Sequence, residues 1–459
     1  MQVLKENFID RRRLGWRLFW SVLSVFSLAI AQAQNSREQE IAQAREKYYQ
    51  GEFDAAIDML NRCMRQNDLT EAQKVQAHKS LAQAYFAKDY FDEAATHVQK
   101  MIELESEYRT DPVQDPPSFV EFVKKAKSQM CRDGRFMVIK ARHLALLLGN
   151  NFSPAMSKPL RVVSGNFTFH DMPISSSFLY LFQKGLEGEL NQSSKFKMVK
   201  RSDLQAAVKT RGIAVTARLK PSTPVAMQEF VEADAVLLGN CWDKGDSLAI
   251  HVTLVDSVKQ IVFSSATTRF AKDDIAETTP ALPNNFAQAQ ATMTAWSESA
   301  APASKLNLKL WVDRLDGAVY QKGEKMTAYI RADKDCYLYL FYHDAGGNDF
   351  LIFPNRLRPN HQITGGKVYE IPSRADQFDF TIVAPLGVEI LKAFASNQPL
   401  PELQGKAISG GIKKLKLSAA DLAKTLRGIE MKKRPDNAAA GETQIERAEA
   451  SCVVTTVEK

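Results

Sequence analysis

The chain lacks the residue patterns on which common enzyme mechanisms depend. Its seven histidines form no His-Glu-x-x-His motif and no pair at helical metal-ligand spacing, which excludes the usual zinc-protease signature. No Gly-x-Ser-x-Gly turn occurs, so the usual nucleophile of serine hydrolases is missing. Gly365-Gly366-Lys367 lacks the upstream Gly and the following Ser or Thr of a phosphate-binding loop. We therefore predict no catalytic residue, no cofactor and no metal ion, and we expect that the protein is not an enzyme.

Cysteine is scarce, and the five cysteines lie far apart without a Cys-x-x-Cys pair: Cys63, Cys131, Cys241, Cys336 and Cys452. One disulfide between Cys63 and Cys131 is compatible with an exported protein, although spacing alone does not establish it. Cys241 and Cys336 lie in or beside apolar strands, where we expect buried free thiols.

A strong charge of either sign is also missing. The formal net charge is +7, and residues 1–33 carry five positive and two negative groups, so their removal leaves about +4. This excess is too small to predict a nucleic-acid partner. Hydrophobic residues make up 45% and charged residues 25% of the chain, as in ordinary globular proteins. A length of 459 residues predicts about three domains.

The first 33 residues have the pattern of a secretory signal peptide. Arg11–Arg13 and Arg17 precede an apolar run over Leu18–Ala31, and Ala31-Gln32-Ala33 supplies small residues at the cleavage positions. The run is shorter than the roughly 20 residues that span a bilayer. We expect export to the periplasm or outer cell envelope, with an uncleaved membrane anchor as the alternative. No later segment is long and apolar enough to cross a membrane.

Residues 36–129 are predicted to be helical and contain an internal repeat. Tyr48–Ala56 matches Phe86–Ala94 at an offset of 38 residues, near the tetratricopeptide period of about 34. In both copies, small alanines let paired helices approach, and Gly51 or Asp89 serves the tight turn. Pro117–Lys127 is predicted to be a capping helix after a break at Asp115-Pro116-Pro117. We expect tetratricopeptide-like repeats whose surface binds a peptide or helix.

A connector over residues 130–158 follows, with Phe136–Ile139 as a candidate strand and Leu144–Leu148 as a short helix. From residue 159 to 272, strands and helices alternate, which favours an α/β sandwich. Ser175–Ser177 offers caps for a helix over Phe178–Leu190, and a capping box at Ser202–Gln205 opens a second helix. The predicted strands are Leu160–Val163, Phe196–Val199, Ala233–Gly239, Leu248–Val255 and Gln260–Ser265.

The string Phe196–Leu204 resembles the envelope domains typified by CsgG and FlgO, in which a strand ending in Arg leads into a helix. Ala233–Gly239 and Val252–Asp256 occupy the expected later positions. Val258-Lys259 stands where that family usually has a Thr-Gly turn. The resemblance covers residues 159–270 and implies a place in an envelope-associated assembly.

Residues 273–304 are rich in Pro, Ala, Ser, Thr and Asn and are predicted to be a linker, with Phe286–Trp296 transiently helical. Residues 305–459 read as an all-β domain. Leu306–Val312 alternates apolar and polar residues, as a half-buried strand does, and Val319–Glu324 is predicted to be a turn. Cys336–Tyr342 has apolar residues at both odd and even positions, as a strand that is covered on both faces must have. Short strands with turns between them favour an immunoglobulin-like β-sandwich.

These residues resemble the bacterial envelope family known as domain of unknown function 4384. Its shared features are found in five segments: Tyr320–Glu324, Asp335–Leu340, Ile352–Asn355, Pro385–Glu389 and the terminal stretch from Ala448 to Thr456. The family has no assigned activity, so the resemblance implies an architecture and an envelope location.

Three features of the β domain admit a structural and a functional interpretation. Asp344–Asp349 has oxygens suited to calcium but lacks a bidentate Glu, and a turn explains its composition. Tyr337 and Tyr339 share a strand face, for which core packing is the interpretation we favour over ligand stacking. A cluster of basic residues lies near the C-terminus: Lys413, Lys414, Lys416, Lys424, Arg427, Lys432, Lys433 and Arg434. We interpret this basic cluster as a solvated surface, with weak contact to an anionic envelope surface as the alternative.

Together, these patterns predict a non-catalytic exported envelope protein that serves as a protein-interaction scaffold or accessory subunit, with envelope proteins as partners of the helical repeats. The alternative is a receptor for a small ligand or glycan. A third interpretation is an enzyme whose site forms between the middle and last domains; convergent polar groups and perturbed titration in a closed pocket would indicate it.

Overall fold

The computed structural model describes residues 36–66, 68–152, 158–200, 202–203, 233–257, 259, 261–298, 305–400, 402–408, 411–416 and 445–459. The predicted signal peptide, the helix after Ser202-Asp203 and the basic residues from Lys424 to Arg434 lie outside these residues. The chain divides into two compact units, Met1–Ile139 and Lys140–Lys459.

Helices make up the described part of the first unit and are arranged as consecutive pairs joined by short turns. They are α1 (36–49), α2 (Phe53–Met64), α3 (Glu71–Ala87), α4 (Phe91–Leu104), α5 (Pro117–Arg132) and α6 (Arg135–Asn150), the last of which continues into the second unit.

The helix boundaries follow from local chemistry. Thr70 caps α3 through a reciprocal capping box with Gln73, with Gln73 N donating to Thr70 Oγ1 over 3.2 Å and Thr70 N to Gln73 Oε1 over 3.0 Å. Pro117 begins α5 at the first helical position, where its missing N–H costs nothing. The strand predicted over Phe136–Ile139 is wrong. Phe136 and Ile139 lie one helical turn apart and are both buried, which is the pattern of a helix face.

The second unit begins with an α/β domain that contains one sheet of mixed direction. Its strands are β1 (Leu160–Ser164), β2 (Thr168–Phe169), β3 (Phe196–Met198), β4 (Ala235–Asp243), β5 (Ser247–Asp256) and β6 (Val262–Ala271), and α7 covers Ser177–Gln192. The order β3-β1-β4-β5-β6 places parallel β1 beside β3 and β4, while β4, β5 and β6 are antiparallel, and β2 pairs with β4. Ser176 caps α7 as expected, accepting a hydrogen bond from Leu179 N over 3.2 Å.

One face of this sheet is covered by aromatic and aliphatic side chains. Phe178 and Phe182 of α7 meet Phe270 of β6 edge to face, with ring centroids 5.0 and 5.4 Å apart. Phe167 lies against β4 at Gly239, where an added Cβ would come within 2.4 Å of the ring. The end of α6 joins the same layer, because Ser264 Oγ donates to Leu148 O over 2.8 Å. Part of the predicted connector therefore belongs to the covering layer.

The segment predicted as a linker carries ordered structure in its described part. A 3₁₀ turn spans Lys272–Asp274, and α8 spans Phe286–Glu298. Asn285, just before α8, donates to Val388 O and accepts from Val388 N, each over 2.8 Å. Ile174, Ala289, Val388 and Val453 share one buried cluster. The composition suggested mobility, yet these contacts fix α8 against the β domain.

The C-terminal β domain holds three sheets within the described residues. Its strands are β7 (Leu308–Val312), β8 (Ala318–Gln321), β9 (Lys325–Met326), β10 (Ala328–Ala332), β11 (Cys336–His343), β12 (Asp349–Phe353), β13 (Gln362–Ile363), β14 (Val368–Ile371), β15 (Phe380–Thr381), β16 (Val388–Ser396), β17 (Gly405–Ala407), β18 (Lys413–Leu415) and β19 (Arg447–Val457). The largest sheet has the order β17-β18-β12-β11-β16-β19-β8, and a three-stranded sheet has the order β14-β10-β7.

Those two sheets share a hydrophobic core. Leu310 and Ile330 from the smaller sheet belong to the same buried cluster as Leu340 and Leu391 from the larger one. The turn predicted over Val319–Glu324 is shorter than expected. Its first residues form β8, which pairs in parallel with β19, because a distant strand supplies the partner that local sequence does not reveal.

All five cysteines are free and buried. The disulfide considered between Cys63 and Cys131 is therefore not formed; Cys63 packs in the apolar core of the first helices. Burial raises the pKa of Cys241 to about 12 and that of Cys336 to about 11, as expected for inert structural thiols.

Candidate functional site

The helix pairs of the first unit repeat one turn geometry. The residues after α1, α3 and α5 that reverse the chain are Gly51, Asp89 and Gly134, with φ of 79°, 60° and 73°. This left-handed conformation suits Gly and is tolerated by Asp. The third pair was not predicted as a pair: α5 was predicted as a capping helix, and only Leu144–Leu148 of α6 was predicted to be helical. Its turn, Asp133-Gly134, carries the same signal as Gly51 and could have been found from the sequence.

Small residues set the distance between these helices. Ala44, Ala56, Ala82 and Ala94, the alanines that align in the predicted repeat, are fully buried. A methyl side chain lets two helix backbones approach closely, so the predicted role of these alanines matches their burial.

Charged side chains then fix each pair against the next. Lys88, in the second turn, forms an ion pair with Asp54 of α2. The buried Asp115 carboxylate accepts hydrogen bonds from Lys79 Nζ over 2.7 Å and Gln83 Nε2 over 3.0 Å, which ties the loop before α5 onto α3. A carboxylate held this way orders its loop at the cost of its own hydration.

Aromatic side chains at the turn end of the unit remain exposed. Tyr49 is 67% exposed, Tyr90 49% and Phe91 48%. Phe91 lies 5.7 Å from Phe86 and 6.1 Å from Phe122, measured between ring centroids, and these two rings are half-buried. We call these five residues the aromatic ridge. Exposed aromatic residues on a rigid support are typical of protein interfaces, so the ridge is the candidate partner-binding surface.

A histidine pair lies inside the second helix pair. His78 Nδ1 and His97 Nδ1 are 2.9 Å apart, so one nitrogen donates and the other accepts, which requires a neutral acceptor ring. Tyr85 stacks on His97, with ring centroids 5.4 Å apart. Burial, together with the neighbouring His97, lowers the pKa of His78 to about 4, and burial also lowers the pKa of His97.

The second unit contains two clefts where its α/β and β domains meet. The junction cleft, of about 490 Å³, is lined among others by Ser176, Tyr180, Pro280, Leu386, Thr456 and Lys459. The sheet cleft, of about 340 Å³, is lined among others by Asn166, Asp171, Asn240, Trp242, His251 and Asp316. No site residue was predicted in either cleft. Contacts between strands and loops that lie far apart in the sequence bring these side chains together.

A buried carboxyl group, that of Glu389, bonds to Thr456, which lines the junction cleft. Glu389 Oε1 accepts a hydrogen bond from Thr456 Oγ1 over 3.2 Å, and Tyr342 also bonds to this carboxyl group. Within the described part of the chain, Glu389 Oε2 has no hydrogen-bond partner. Burial raises the pKa of Glu389 to about 7. Side chains with such shifts are candidates for function or for strain.

The features weighed from the β-domain sequence have structural roles. Asp344 Oδ1 accepts from Asn348 N over 2.7 Å, and Asp349 Oδ1 contacts His343 Nδ1 at 3.0 Å, so the loop oxygens bond within the turn. Among the described residues, no group of three or more His, Cys, Asp or Glu side chains is arranged to hold a metal ion. Tyr339 is buried, and its hydroxyl accepts from Leu400 N over 2.8 Å.

Of the predicted basic cluster, Lys413, Lys414 and Lys416 lie in the described residues, and only Lys414 and Lys416 are exposed. Lys414 lies directly opposite Lys406 on β17. The prediction that no residue is catalytic stays a prediction.

Comparison with known families identifies one region of the chain. Residues 319–399 match the family described as "Domain of unknown function (DUF4384)", which confirms the predicted resemblance over this range. The terminal stretch from Ala448 lies outside the matched residues. No curated protein matches the chain.

Some solved structures are similar to parts of the chain. The C-terminal domain of LpoB from Salmonella enterica is 15% identical, with 28% of this chain and 96% of that chain covered and a TM-score of 0.24. The same domain from Escherichia coli is 14% identical, with 29% and 96% covered and a TM-score of 0.24. Lipoprotein GNA1162 from Neisseria meningitidis is 11% identical, with 31% and 100% covered and a TM-score of 0.21.

No helix in the described ranges combines the length and apolar character that crossing a membrane requires.

Proposed function

We propose that this protein is a non-catalytic, exported component of the cell envelope that binds a partner protein through its helical unit. The aromatic ridge carries this proposal. Tyr49, Tyr90 and Phe91 expose about half or more of their side chains at the turn end of a helical array. Exposed aromatic side chains that lie close together, as Phe91 does beside Phe86 and Phe122, mark interaction sites more often than singly exposed ones do.

Rigid support makes the ridge suitable for binding. Phe91 packs on Phe86 and Phe122, and Lys88 places its ammonium 4.9 Å from the centre of the Tyr90 ring while pairing with Asp54. These contacts restrict the aromatic rotamers before a partner arrives, which lowers the entropy cost of association. Tyr and Phe then supply large contact areas, as interface anchors do.

The finer architecture belongs to the same proposal. We propose that the helix pairs are tetratricopeptide-like, that the α/β domain is CsgG/FlgO-like and that the β domain is an immunoglobulin-like sandwich. The shared turn geometry supports the first assignment, and the two sheets around one core support the last. The signal-peptide pattern of residues 1–33 supports export to the periplasm or outer envelope.

The ridge variant Tyr49→Ser/Tyr90→Ser tests this function. Both side chains are largely exposed, so we expect the free energy of unfolding to change by less than about 1 kcal/mol. Partner protein recovered by chemical crosslinking in cells and mass spectrometry should fall at least about tenfold, the effect of losing two interface anchors. The control is Val113→Ser, because Val113 is 91% exposed and lies outside the ridge. Equal recovery from the double variant and the wild type would refute the proposal.

A further inference from the structure

A row of polar side chains crosses the face of the α/β sheet that points away from α7. In the strand register, Thr168 on β2 lies beside Asn240 on β4, Asn240 opposite His251 on β5, and His251 opposite Thr267 on β6. Directly paired residues project from the same face of a sheet. His251 Nδ1 and Thr267 Oγ1 are 2.9 Å apart, so the row is linked by hydrogen bonding as well as by position.

An aromatic platform borders this row. Trp242 is the next residue of β4 on the same face, and its partner on β5 is the small Ala249. The Trp242 ring lies 6.5 Å from the His251 ring, measured between centroids, and is partly exposed to the cleft. On the other side of the row, Leu238 lies opposite Thr253. The sheet cleft therefore offers one large ring beside a set of hydrogen-bonding groups.

A strained turn holds a carboxylate at the rim of this cleft. His170 and Asp171 both have left-handed backbone, with φ of 50° and 58°, which is costly for two successive residues that are not glycine. Hydrogen bonds maintain this turn: Asp243 N donates to His170 Nε2 over 3.1 Å, and Asp171 N donates to Asn240 Oδ1 over 3.3 Å. Asn240 Nδ2 in turn donates to Asp171 Oδ1.

The opposite wall comes from the β domain. Asn166 Nδ2 donates to Arg314 O and to Asp316 O, each over 3.0 Å, and Asp316 Oδ1 accepts from Val453 N over 2.7 Å. These bonds fix the loop that carries Asp316 against the α/β domain. Both domains of the second unit thus build the cleft, and its walls are set before any ligand enters.

The chemistry of the lining selects one class of ligand. Among the described residues no Lys or Arg lines the cleft, and two carboxylates do, which disfavours anions such as phosphate. Sites for organic cations are typically cages of several aromatic rings, whereas the described lining of this cleft contains a single tryptophan, so an organic cation is also disfavoured. A neutral saccharide uses all of these groups, since its C–H face stacks on an aromatic ring while its hydroxyls bond to carboxylates, amides and imidazoles. We propose that the sheet cleft binds a neutral saccharide.

Calorimetric titration of the purified full-length protein tests this assignment. The probes are cellotetraose and chitotetraose, with choline and inorganic phosphate titrated in parallel. We expect a tetrasaccharide to bind and Trp242→Ala to weaken that binding by about tenfold or more, because the platform is lost. Asp171→Asn should weaken it by a smaller factor. Arg269→Ala should leave it unchanged, because Arg269 is exposed on the same face opposite Ala249 but does not line the cleft.

Three results would overturn the assignment: neither tetrasaccharide binds, choline or phosphate binds in its place, or Trp242→Ala binds the saccharide as tightly as the wild type does. Circular dichroism checks that each variant is folded. If Trp242→Ala fails to fold, Trp242→Phe and Asp171→Asn decide the question, and unchanged saccharide affinity in both would contradict the assignment.

Discussion

His78 and His97 make the helical unit sensitive to acid. Both pKa values are lowered in the folded protein, so the folded state binds fewer protons than the unfolded chain as pH falls below about 6.5. The stability that the neutral pair provides is complete above that pH and is lost as pH falls through the folded pKa of His78, about 4. After allowance for solvent screening, we expect a loss of about 1–2 kcal/mol.

Amide hydrogen exchange in α3 and α4 measures this loss directly, because it separates the helical unit from the rest of the chain. His78→Gln is the matched control, since its side chain can still bond to His97 but does not titrate near pH 6. The variant should lose much of the pH dependence. Identical pH profiles for wild type and variant would show that the pair does not control stability.

Glu389 gives the opposite pH dependence in the second unit. Its pKa is raised from 4.5 to about 7, so its contribution to stability is complete below pH 4.5 and declines as pH rises through 7. We expect Glu389→Gln to stabilise the unit by about 1–3 kcal/mol near pH 8 and to have little effect near pH 4. Hydrogen exchange in β16 and β19 at the two pH values is the measurement, and destabilisation near pH 8 would contradict the burial argument.

Two glycines of the α/β domain should respond to alanine in opposite directions. Gly239→Ala places a Cβ within 2.4 Å of the Phe167 ring, and overpacking of this kind costs about 1–3 kcal/mol. Gly188, in the middle of α7, has nothing within 4 Å of an added Cβ, so Gly188→Ala should stabilise the domain by up to about 1 kcal/mol. Urea unfolding of both variants tests the pair, and a stabilising Gly239→Ala would contradict the close approach of Phe167.

The junction between β16 and α8 depends on Asn285. Its side chain bonds to both backbone groups of Val388, and Asn285→Ala removes these bonds and leaves Val388 N without this acceptor. We expect proteases to cut near α8 at least about tenfold faster, as a local loss of 1.4 kcal/mol or more would cause. Gln290→Ala, on the exposed side of the same helix, is the control and should be cut at the wild-type rate.

Sequence patterns predict where the helices and strands of this chain lie better than they predict which other elements each one packs against. The capping serines before α7 and the break before α5 follow from local chemistry, and each is present in the structure. The helical state of Phe136–Ile139 and the fixed position of α8 were missed. The position of α8 depends on burial against residues far along the chain, such as Val388, which local periodicity does not encode.

The sequence likewise indicates one of the two candidate sites and not the other. Tyr48-Tyr49 and Tyr90-Phe91 stand beside the repeated turns, so the repeat and its aromatic residues mark the ridge in the sequence. The sheet cleft has no such signal. Asp171, Asn240, His251 and Asp316 are separated by up to 145 positions, and only the strand register and a strained turn bring them together.

At the scale of the whole molecule, each compact unit carries one of the two proposed binding surfaces. The first unit presents the aromatic ridge, and the second holds the sheet cleft between two domains that share hydrogen bonds and a buried cluster. Under the two proposals made above, the first unit binds a partner protein while the second binds a saccharide.

Site-specific photocrosslinking in cells tests whether the aromatic ridge binds a partner protein. A photoreactive residue is placed at position 90 on the ridge or, as the control, at position 124, where Lys124 is exposed on α5. We expect a discrete adduct with one envelope protein from position 90 and none from position 124. Equal adducts from both positions, or no adduct from position 90 while the protein is exported and folded, would contradict the proposed function.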